Sequence, residues 1–263
     1  MNETIVRLGI FAGALIIFSS LEAIFPRRAR NLPRQGRWLT HIGITVINSL
    51  AVRILGPLTT IAIAIWASTS EIGLFNLTEF PLWLEVTLAF ILLDFAIYLQ
   101  HIISHRVPLF WRFHKVHHTD RDLDASSAIR FHPIEILLSM LYKCGLVLLI
   151  GPAAIAVLIF EIVLNASAIF NHANLRLPLG LDKILRTIIV TPDMHRVHHS
   201  VIEGETNSNF GFNFSLWDKL CRTYKAQPQE GHENMTIGLS EHQNSSPAKL
   251  LWSLKLPFAK SFK

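Results

Sequence analysis

The chain carries two near copies of one five-residue string, His114-Lys-Val-His-His118 and His195-Arg-Val-His-His199. A further pair, His101 and His105, precedes the first copy. Residues three and four positions apart share one face of a helix, so each group directs two or three imidazoles at one point. Imidazole is the commonest side-chain metal ligand, and eight histidines are more than one tetrahedral ion needs. The pattern therefore predicts a two-metal centre built on helices.

The surroundings of these histidines are unusually apolar. Hydrophobic residues make up 51% of the 263 residues and charged residues 16%, whereas soluble domains are about 25% charged. Four apolar stretches are long enough to enter a bilayer, and they cover residues 8–25, 39–67, 81–101 and 134–170. Gly56-Pro57 predicts a kinked or broken second helix, and Gly151-Pro152 predicts a helical hairpin in the fourth stretch. We expect an all-α integral membrane protein with about four transmembrane helices, counting the hairpin arms.

Charged residues outside these stretches predict the orientation. The segment between the first two spans contains no acid and five arginines, namely Arg27, Arg28, Arg30, Arg34 and Arg37. Residues 68–80 contain Glu71 and Glu79 and no lysine or arginine. Because basic loops stay in the cytoplasm, all three histidine groups are predicted to lie on the cytoplasmic face, in a helical cap. The net charge of +5 is accounted for by this orientation and by anionic lipid headgroups, so a nucleic-acid partner is not expected.

Further polar residues lie at helical spacing from the histidines. Asp94, Tyr98, His101 and His105 form one stripe, and an acid inside a membrane span is a candidate functional residue. Asp94 could orient a ligating imidazole, or it could be a buried acid bonded to a neighbouring helix. His172, at the end of the hairpin's return arm, is predicted to be a ninth ligand, with contact to headgroups as the alternative.

Four other histidines have weaker support as ligands. His132 precedes Pro133 and Glu135, which fit the first turn of a helix, so it could ligate a metal or only line the site. The last three are discounted, because His41 is at the edge of a span and because His232 and His242 have no partner at ligand spacing. The two cysteines, Cys144 and Cys221, form no metal-binding or disulfide pattern.

The histidine order resembles that of the fatty acid hydroxylase and sterol desaturase superfamily. The resemblance extends to the family's supporting motifs, here Asp94-x-x-x-Tyr98, Trp111-x-x-His114, Arg130-x-His132-Pro133-x-Glu135, Thr191-Pro192, Asn209-Phe210-Gly211 and Trp217-Asp218. It covers roughly residues 94–224, about half the chain. Ile102 and Cys221-Arg222 depart from the family's pattern. Neither departure removes a ligand, so they weaken the assignment to a subfamily more than the inferred chemistry.

The resemblance implies a membrane di-iron oxygenase. Two iron ions would be held by His101, His105, His114, His117, His118, His132, His172, His195, His198 and His199, with Asp94, Tyr98 and Glu135 as supporting catalytic residues. Such an enzyme uses O2 to hydroxylate or desaturate a lipid, and it takes electrons from a separate donor of the cytochrome b5, ferredoxin or rubredoxin type. Nitrogen ligands alone suit iron, zinc or copper, so iron follows from the resemblance.

We expect the chain to consist of three parts. Residues 1–80 would form a transmembrane region, 81–225 the catalytic domain, and 226–263 a polar and basic tail. Residues 249–260 of that tail are either an interfacial segment or a loose basic end. The alternatives in function are an ether-lipid monooxygenase, a zinc-dependent membrane hydrolase and a metal transporter.

Overall fold

The computed structural model describes residues 3–56 and 58–259, and every regular element in these ranges is a helix. Pro57 and Lys260, which belong to the predicted helix break and tail segment, lie outside the described residues. The α-helices are α1 Glu3–Ile24, α2 Arg34–Ile54, α3 Thr60–Thr69, α4 Leu82–Arg106, α5 Pro108–His118, α6 Pro133–Ile150, α7 Ala154–His172, α8 Leu179–Leu185, α9 Pro192–His198, α10 Glu203–Thr206, α11 Leu216–Leu220, α12 Gly231–Asn234 and α13 Leu250–Lys255. Short 3-10 helices cover Leu74–Leu77, Ala125–Ile129, Ser240–His242, Ser246–Ala248 and Leu256–Phe258. The all-α prediction is confirmed for this part of the chain.

Among the described residues, five helices are long and apolar enough to cross a membrane, one more than the predicted count of about four. They are Glu3–Ile24, Thr60–Leu77, Leu82–Arg106, Pro133–Ile150 and Ala154–His172. The predicted kinked helix over residues 39–67 is two helices, and only the second of them belongs to a candidate span. The helix α2 ends at Ile54, Gly56 takes a left-handed conformation (φ 59°), and the Thr59 hydroxyl accepts a hydrogen bond from the Ala62 N–H at the start of α3.

The helix α2 is amphipathic with its polar side facing inward. Its buried residues include Arg37, His41 and Asn48, which share one face. The apolar side chains of Leu39 and Ile54 are 72% and 83% exposed on the other face. A soluble protein shows the reverse arrangement, whereas a hydrocarbon surrounding favours apolar groups outside and polar groups inside. This helix therefore indicates a lipid surrounding even though its own composition is too polar to qualify as a span.

The predicted hairpin break is confirmed at Gly151, which separates α6 from α7 with a left-handed φ of 68°. Gly73 packs directly on it, because a Cβ atom added to Gly73 would lie 2.5 Å from the Gly151 Cα atom. The apolar core at this end of the bundle includes Phe75, Leu93 and Phe160. This packed end is the far end of α4 and α7 from their histidines, so the histidine groups lie at the opposite end of the bundle.

Short helices and loops form a cap over the histidine end. The end of α1 is tied to the segment after α7 by backbone hydrogen bonds, from Arg27 N to Asn174 O and from Arg176 N to Phe25 O, each 2.8 Å long. Residues from 226 onwards, which were predicted to form a polar and basic tail, take part in this layer. Met235 and Ile237 are buried with Leu123, so the described part of the tail helps to build the cap.

A buried ion network joins α2 to the cap. Arg37 is 1% exposed, and its guanidinium donates to both carboxylate oxygens of Asp120 and to Asp124, each at 2.7 Å. Burial alone raises the pKa of Asp120, but attraction to Arg37, His41 and Arg130 outweighs it and holds that pKa below its usual value. Since Asp120 follows the first histidine string by two residues, the network fixes that string relative to the membrane helices. Buried charges of this kind are tolerated because each is paired.

Candidate metal centre

Nine histidines from four parts of the chain converge into two groups. They come from α4, α5, the end of α7 and the α9 segment. One group has five members, His101, His105, His114, His118 and His198, and the other has four, His117, His172, His195 and His199. In each group the candidate donor atoms lie within 4.8 Å of one another, and every member except His105 is buried. The structure thus brings together all three histidine motifs and His172.

The spacing of the ring nitrogens fits metal ligands. In the four-histidine group, the Nε2 atom of His172 lies 3.1 Å from the Nε2 atoms of both His117 and His195, and His199 Nε2 lies 3.2 Å from His195 Nε2. Bonds of 2.0 to 2.1 Å around one ion place neighbouring nitrogens roughly 3 to 3.4 Å apart. The four-histidine group therefore has the dimensions of a coordination site.

Four of the nine rings are oriented by an acceptor at Nδ1. The pairs are His101 with Phe210 O at 2.8 Å, His114 with Glu135 Oε1 at 2.6 Å, His172 with Ala168 O at 2.6 Å and His198 with Ser208 O at 2.7 Å. Carbonyl and carboxylate oxygens only accept, so Nδ1 carries the hydrogen in each ring and Nε2 presents a lone pair. Such outer contacts hold a ligating ring in place.

The ring pair His101 and His114 shows why a cation fits. Their Nε2 atoms lie 3.2 Å apart, and the acceptors at Nδ1 leave a lone pair on both. When both rings are neutral and keep their Nδ1 bonds, no hydrogen lies between these two atoms, so the contact is repulsive. A metal ion bound to both nitrogens removes that repulsion. The donor set therefore suits a cation better than it suits a protein hydrogen-bond network.

Burial keeps the cap histidines neutral, which metal binding requires. Desolvation, reinforced by the neighbouring imidazoles, lowers the pKa of five rings well below the usual value, namely His117, His118, His195, His198 and His199. Several of their nitrogens have no hydrogen-bond partner in the described part of the chain, including both nitrogens of His118 and Nε2 of His198. Buried polar atoms without partners are rare and indicate an ion or another group between them.

The structure does not bring His132 into either group. His132 caps the start of α6, where its Nδ1 accepts a hydrogen bond from the Ile134 N–H at 3.2 Å. Its Nε2 lies 3.2 Å from Leu254 O, to which it donates. Both ring nitrogens are therefore occupied by backbone groups. Its neighbour Glu135 is placed differently, because it contacts His114.

Asp94 and Tyr98 contact a loop instead of the histidine rings. The Asp94 carboxylate accepts from Asn213 Nδ2 and Trp217 Nε1, each at 2.8 Å, and from Phe214 N at 3.2 Å. The Tyr98 hydroxyl lies 2.9 Å from Thr223 Oγ1. These contacts hold residues 213–223 against α4. Phe210, whose carbonyl accepts from His101, lies three residues before this segment. Asp94 therefore contacts the loop that orients His101 and does not contact the ring itself.

Sequence reasoning missed two sets of supporting groups. The carbonyls of Ser208 and Phe210 orient His198 and His101, and a backbone acceptor has no sequence signature. The buried pair of Arg37 and Asp120 was also missed. Its sequence signal is the run of alternating acids directly after the first string, Asp120, Asp122 and Asp124. His41, discounted as a ligand, lies in this network, with its Nδ1 atom 2.9 Å from Ser126 Oγ and its Nε2 atom 3.3 Å from the Asp120 carboxylate.

A cavity of about 480 Å³ opens beside the five-histidine group. His101 and His114 line one end, and the walls come from α1, α2, α4, α6 and α7. Apolar side chains, among them Ile97, Phe131 and Phe212, also line it. No member of the four-histidine group lines the cavity. The cavity therefore offers an apolar chain an approach to one group only.

Comparison with known proteins agrees with this arrangement. A family model described as fatty acid hydroxylase matches residues 86–223, which is more than half of the chain. The chain belongs to this family. It is 25% identical over 233 residues to ornithine lipid hydroxylase OlsE of Rhizobium tropici, covering 87% of this chain and 70% of that protein.

Two other relatives are matched over shorter regions. Alkylglycerol monooxygenase of Homo sapiens is 29% identical over 177 residues, covering 65% of this chain and 36% of that protein. Cholesterol 25-hydroxylase of Rattus norvegicus is 26% identical over 146 residues, covering 55% of this chain and 48% of that protein. The chain thus spans at most half the length of these two relatives. No solved structure matches it.

Proposed function

We propose that this protein is a membrane di-iron oxygenase that hydroxylates a C–H bond of a lipid. The observation that carries the proposal is the pair of Nε2 lone pairs on His101 and His114, 3.2 Å apart at the end of an apolar cavity. Family membership and relatives whose names are lipid hydroxylases and monooxygenases support the same reaction class. In the overall reaction, R–H, O2, two electrons and two protons give R–OH and water.

The nine clustered histidines are the proposed iron ligands. His132 is left out of the set because backbone groups occupy both of its nitrogens. Two iron ions supply activation of O2 for attack on an unactivated C–H bond. The chain itself supplies orientation, through Glu135 at His114 and the carbonyls at His101, His172 and His198. Apolar side chains of the cavity lining, among them Phe131 and Phe212, would keep water from the reacting carbon.

Hydroxylation is favoured over desaturation by the comparisons, since ornithine lipid hydroxylase, alkylglycerol monooxygenase and cholesterol 25-hydroxylase all insert oxygen by name. Ether-lipid cleavage is the second candidate. Its specific support is the match to alkylglycerol monooxygenases from several animals, at 28% to 30% identity. Both candidates use the same site and differ only in whether the oxidised carbon bears an ether oxygen.

We place the metal centre on the cytoplasmic face. The basic segment after α1 lies on the histidine side of the protein, because Arg27 Nε donates to Asp193 Oδ2 at 3.0 Å, two residues before His195. A basic segment is expected in the cytoplasm. Electrons would then come from a cytoplasmic donor. In a variant whose two native cysteines are replaced by serine, a cysteine introduced at the exposed Glu203 should react with an impermeant maleimide only in inside-out vesicles. Reaction in right-side-out vesicles would reverse the assignment.

The decisive experiment combines metal analysis with oxygen-18 labelling. Cells expressing the wild type, His117→Ala/His198→Ala or the control His242→Ala are grown under ¹⁸O2, their lipids are analysed by mass spectrometry, and iron and zinc are counted in the purified proteins. We expect two irons per chain and a labelled hydroxylated lipid in the wild type and in the control only. An unlabelled lipid lighter by two hydrogens would mean desaturation, and bound zinc without any label would replace the proposal with a hydrolase.

A further inference from the structure

The far end of the cavity carries charged side chains from three helices. Arg7 of α1, Lys143 of α6 and Glu161 of α7 all line it. Lys143 Nζ lies 2.8 Å from Glu161 Oε1, and Arg7 Nη2 donates to Glu161 Oε2. The Glu161 side chain is 2% exposed, whereas those of Lys143 and Arg7 are 17% and 30% exposed. Charges at this depth are rare in membrane helices and mark functional sites.

Helix geometry gives the distance from these charges to the histidines. Glu135, Ser139 and Lys143 all line the cavity at intervals of four residues, so they follow one face of α6 from His114 towards the charged end. The eight residues from Glu135 to Lys143 correspond to a rise of roughly 12 Å. The eleven residues from His172 to Glu161 correspond to roughly 16 Å along α7. The cations therefore lie about 12 to 16 Å from the histidine groups, at the opposite end of one cavity.

At the charged end, Lys143 has N–H groups without a partner, whereas both carboxylate oxygens of Glu161 already have one. Both oxygens of Glu161 are engaged by the two cations. Within the described residues the Lys143 ammonium makes one hydrogen bond, which leaves two of its three N–H groups for a ligand. Arg7 also binds Glu3, with 3.1 Å between Arg7 Nη1 and Glu3 Oε1, but Glu3 is 43% exposed and does not line the cavity. The charged end of the cavity thus carries two positive charges against one negative charge, and the other lining acid, Glu135, lies at the histidine end beside His114.

We propose that Arg7 and Lys143 bind the anionic end of an amphiphilic lipid, a phosphate or a carboxylate, whose chain runs along the cavity to the histidines. Glu161 is shared between the two cations, so an anion would accept the spare hydrogen bonds of Lys143 and give the two cations a second partner inside the cavity. Identifying this lipid as the substrate rests on the proposed function. The carbon that is oxidised then lies about 12 to 16 Å from the anionic group.

Direct binding of defined amphiphiles tests the proposal without any turnover. Radiolabelled hexadecyl phosphate, palmitate and hexadecanol are titrated onto the purified, detergent-solubilised protein, since they combine similar chains with anionic or neutral ends. We expect the two anions to bind the wild type about 10- to 100-fold more tightly than the alcohol, which is the range of one charge-assisted hydrogen bond. Lys143→Met should abolish this preference, and Lys143→Arg should keep most of it.

Arg53→Met provides the matched control, because it removes one cation from an exposed position on α2 outside the cavity lining. Its preference should equal that of the wild type. Equal affinity of the wild type for phosphate and alcohol would overturn the proposal, whatever the variants do. Preference retained in Arg7→Met/Lys143→Met/Glu161→Gln, which loses both cations and the acid between them, would make the three charges a purely structural ion network. Displacement of the lipid by inorganic phosphate at the same concentration would make the site one for free anions.

Failure of the proposed function gives a different pattern. If anion preference depends on Lys143 while no ¹⁸O-labelled lipid forms, the binding site stands and the oxygenase does not. If labelled lipid forms with an unchanged KM in Lys143→Met, the oxygenase stands and the anion site does not. Support for both requires a raised KM with unchanged iron content in Lys143→Met.

Discussion

The two histidine groups differ in how they are held and in what they face. In the five-histidine group, three rings have an acceptor at Nδ1, and one of those acceptors is the Glu135 carboxylate. In the four-histidine group only His172 has one, a backbone carbonyl. Two members of the first group line the cavity and none of the second does. The larger group is therefore the one placed to meet a substrate, and the smaller one is enclosed by protein.

Group size leads to the largest expected difference. His195→Ala leaves the enclosed group with three ligands, whereas His105→Ala leaves the larger group with the four that a tetrahedral ion needs. We expect His195→Ala to lose one metal and to lower activity by about 100-fold or more, beyond the range seen for outer contacts. His105→Ala should keep both metals. Metal counting by plasma mass spectrometry checks this, and equal losses in the two variants would mean that the groups are equivalent.

Removing the charged orienting contact should affect only the cavity-facing group. Glu135→Gln keeps the shape of the side chain but weakens its 2.6 Å contact with His114. We expect metal affinity at the five-histidine group to fall about 10- to 100-fold, with the four-histidine group unchanged. Chelator titration followed by metal counting resolves the two sites. Loss of both metals in parallel would show that the groups bind as one unit.

Asp94→Asn should act through the loop and have a smaller effect on the metal. Its carboxylate accepts from four donors on residues 213–217, and an amide would place its own N–H groups against some of them. We expect unfolding free energy to fall by about 1 to 3 kcal/mol, with a loss of metal affinity below that of Glu135→Gln. Thermal unfolding and chelator titration are compared for the two variants. A larger metal loss in Asp94→Asn would contradict the indirect role.

The smallest effect is expected at His132. His132→Ala removes a helix cap and should lower stability by about 1 kcal/mol, while the metal count stays at the wild-type value. Asn is itself a good cap, so His132→Asn should restore the stability. A lost metal in His132→Asn would instead return His132 to the ligand set.

Periodicity made the histidine motifs predictable, because residues three and four apart share a face whatever the helix packs against. His172 could be included for a different reason, because it lies at the end of an apolar hairpin arm and therefore at the same level in the membrane as the histidine strings. The sorting of ligands into five and four could not be predicted. His117 and His118 are adjacent in sequence, yet they belong to different groups, because successive residues on a helix point about 100° apart and only the packing of α7 and α9 decides which partner each one meets.

The break near Gly56 was visible in the sequence, but the part of this stretch that could span a membrane was not, because Thr60–Leu77 extends ten residues beyond the predicted end of the stretch. The charged end of the cavity could not be predicted from the sequence either. Arg7, Lys143 and Glu161 lie far apart in the chain and each was visible only as a charge in an apolar stretch.

The sequence by itself determined the helical class, the membrane surrounding and the family, since these depend on composition and on local spacing. Only the tertiary structure decided that the nine rings form two unequal groups, that His132 caps a helix, and that three distant charges share the cavity with His101 and His114. Those features depend on contacts between helices, and contacts between helices are set by how whole faces pack.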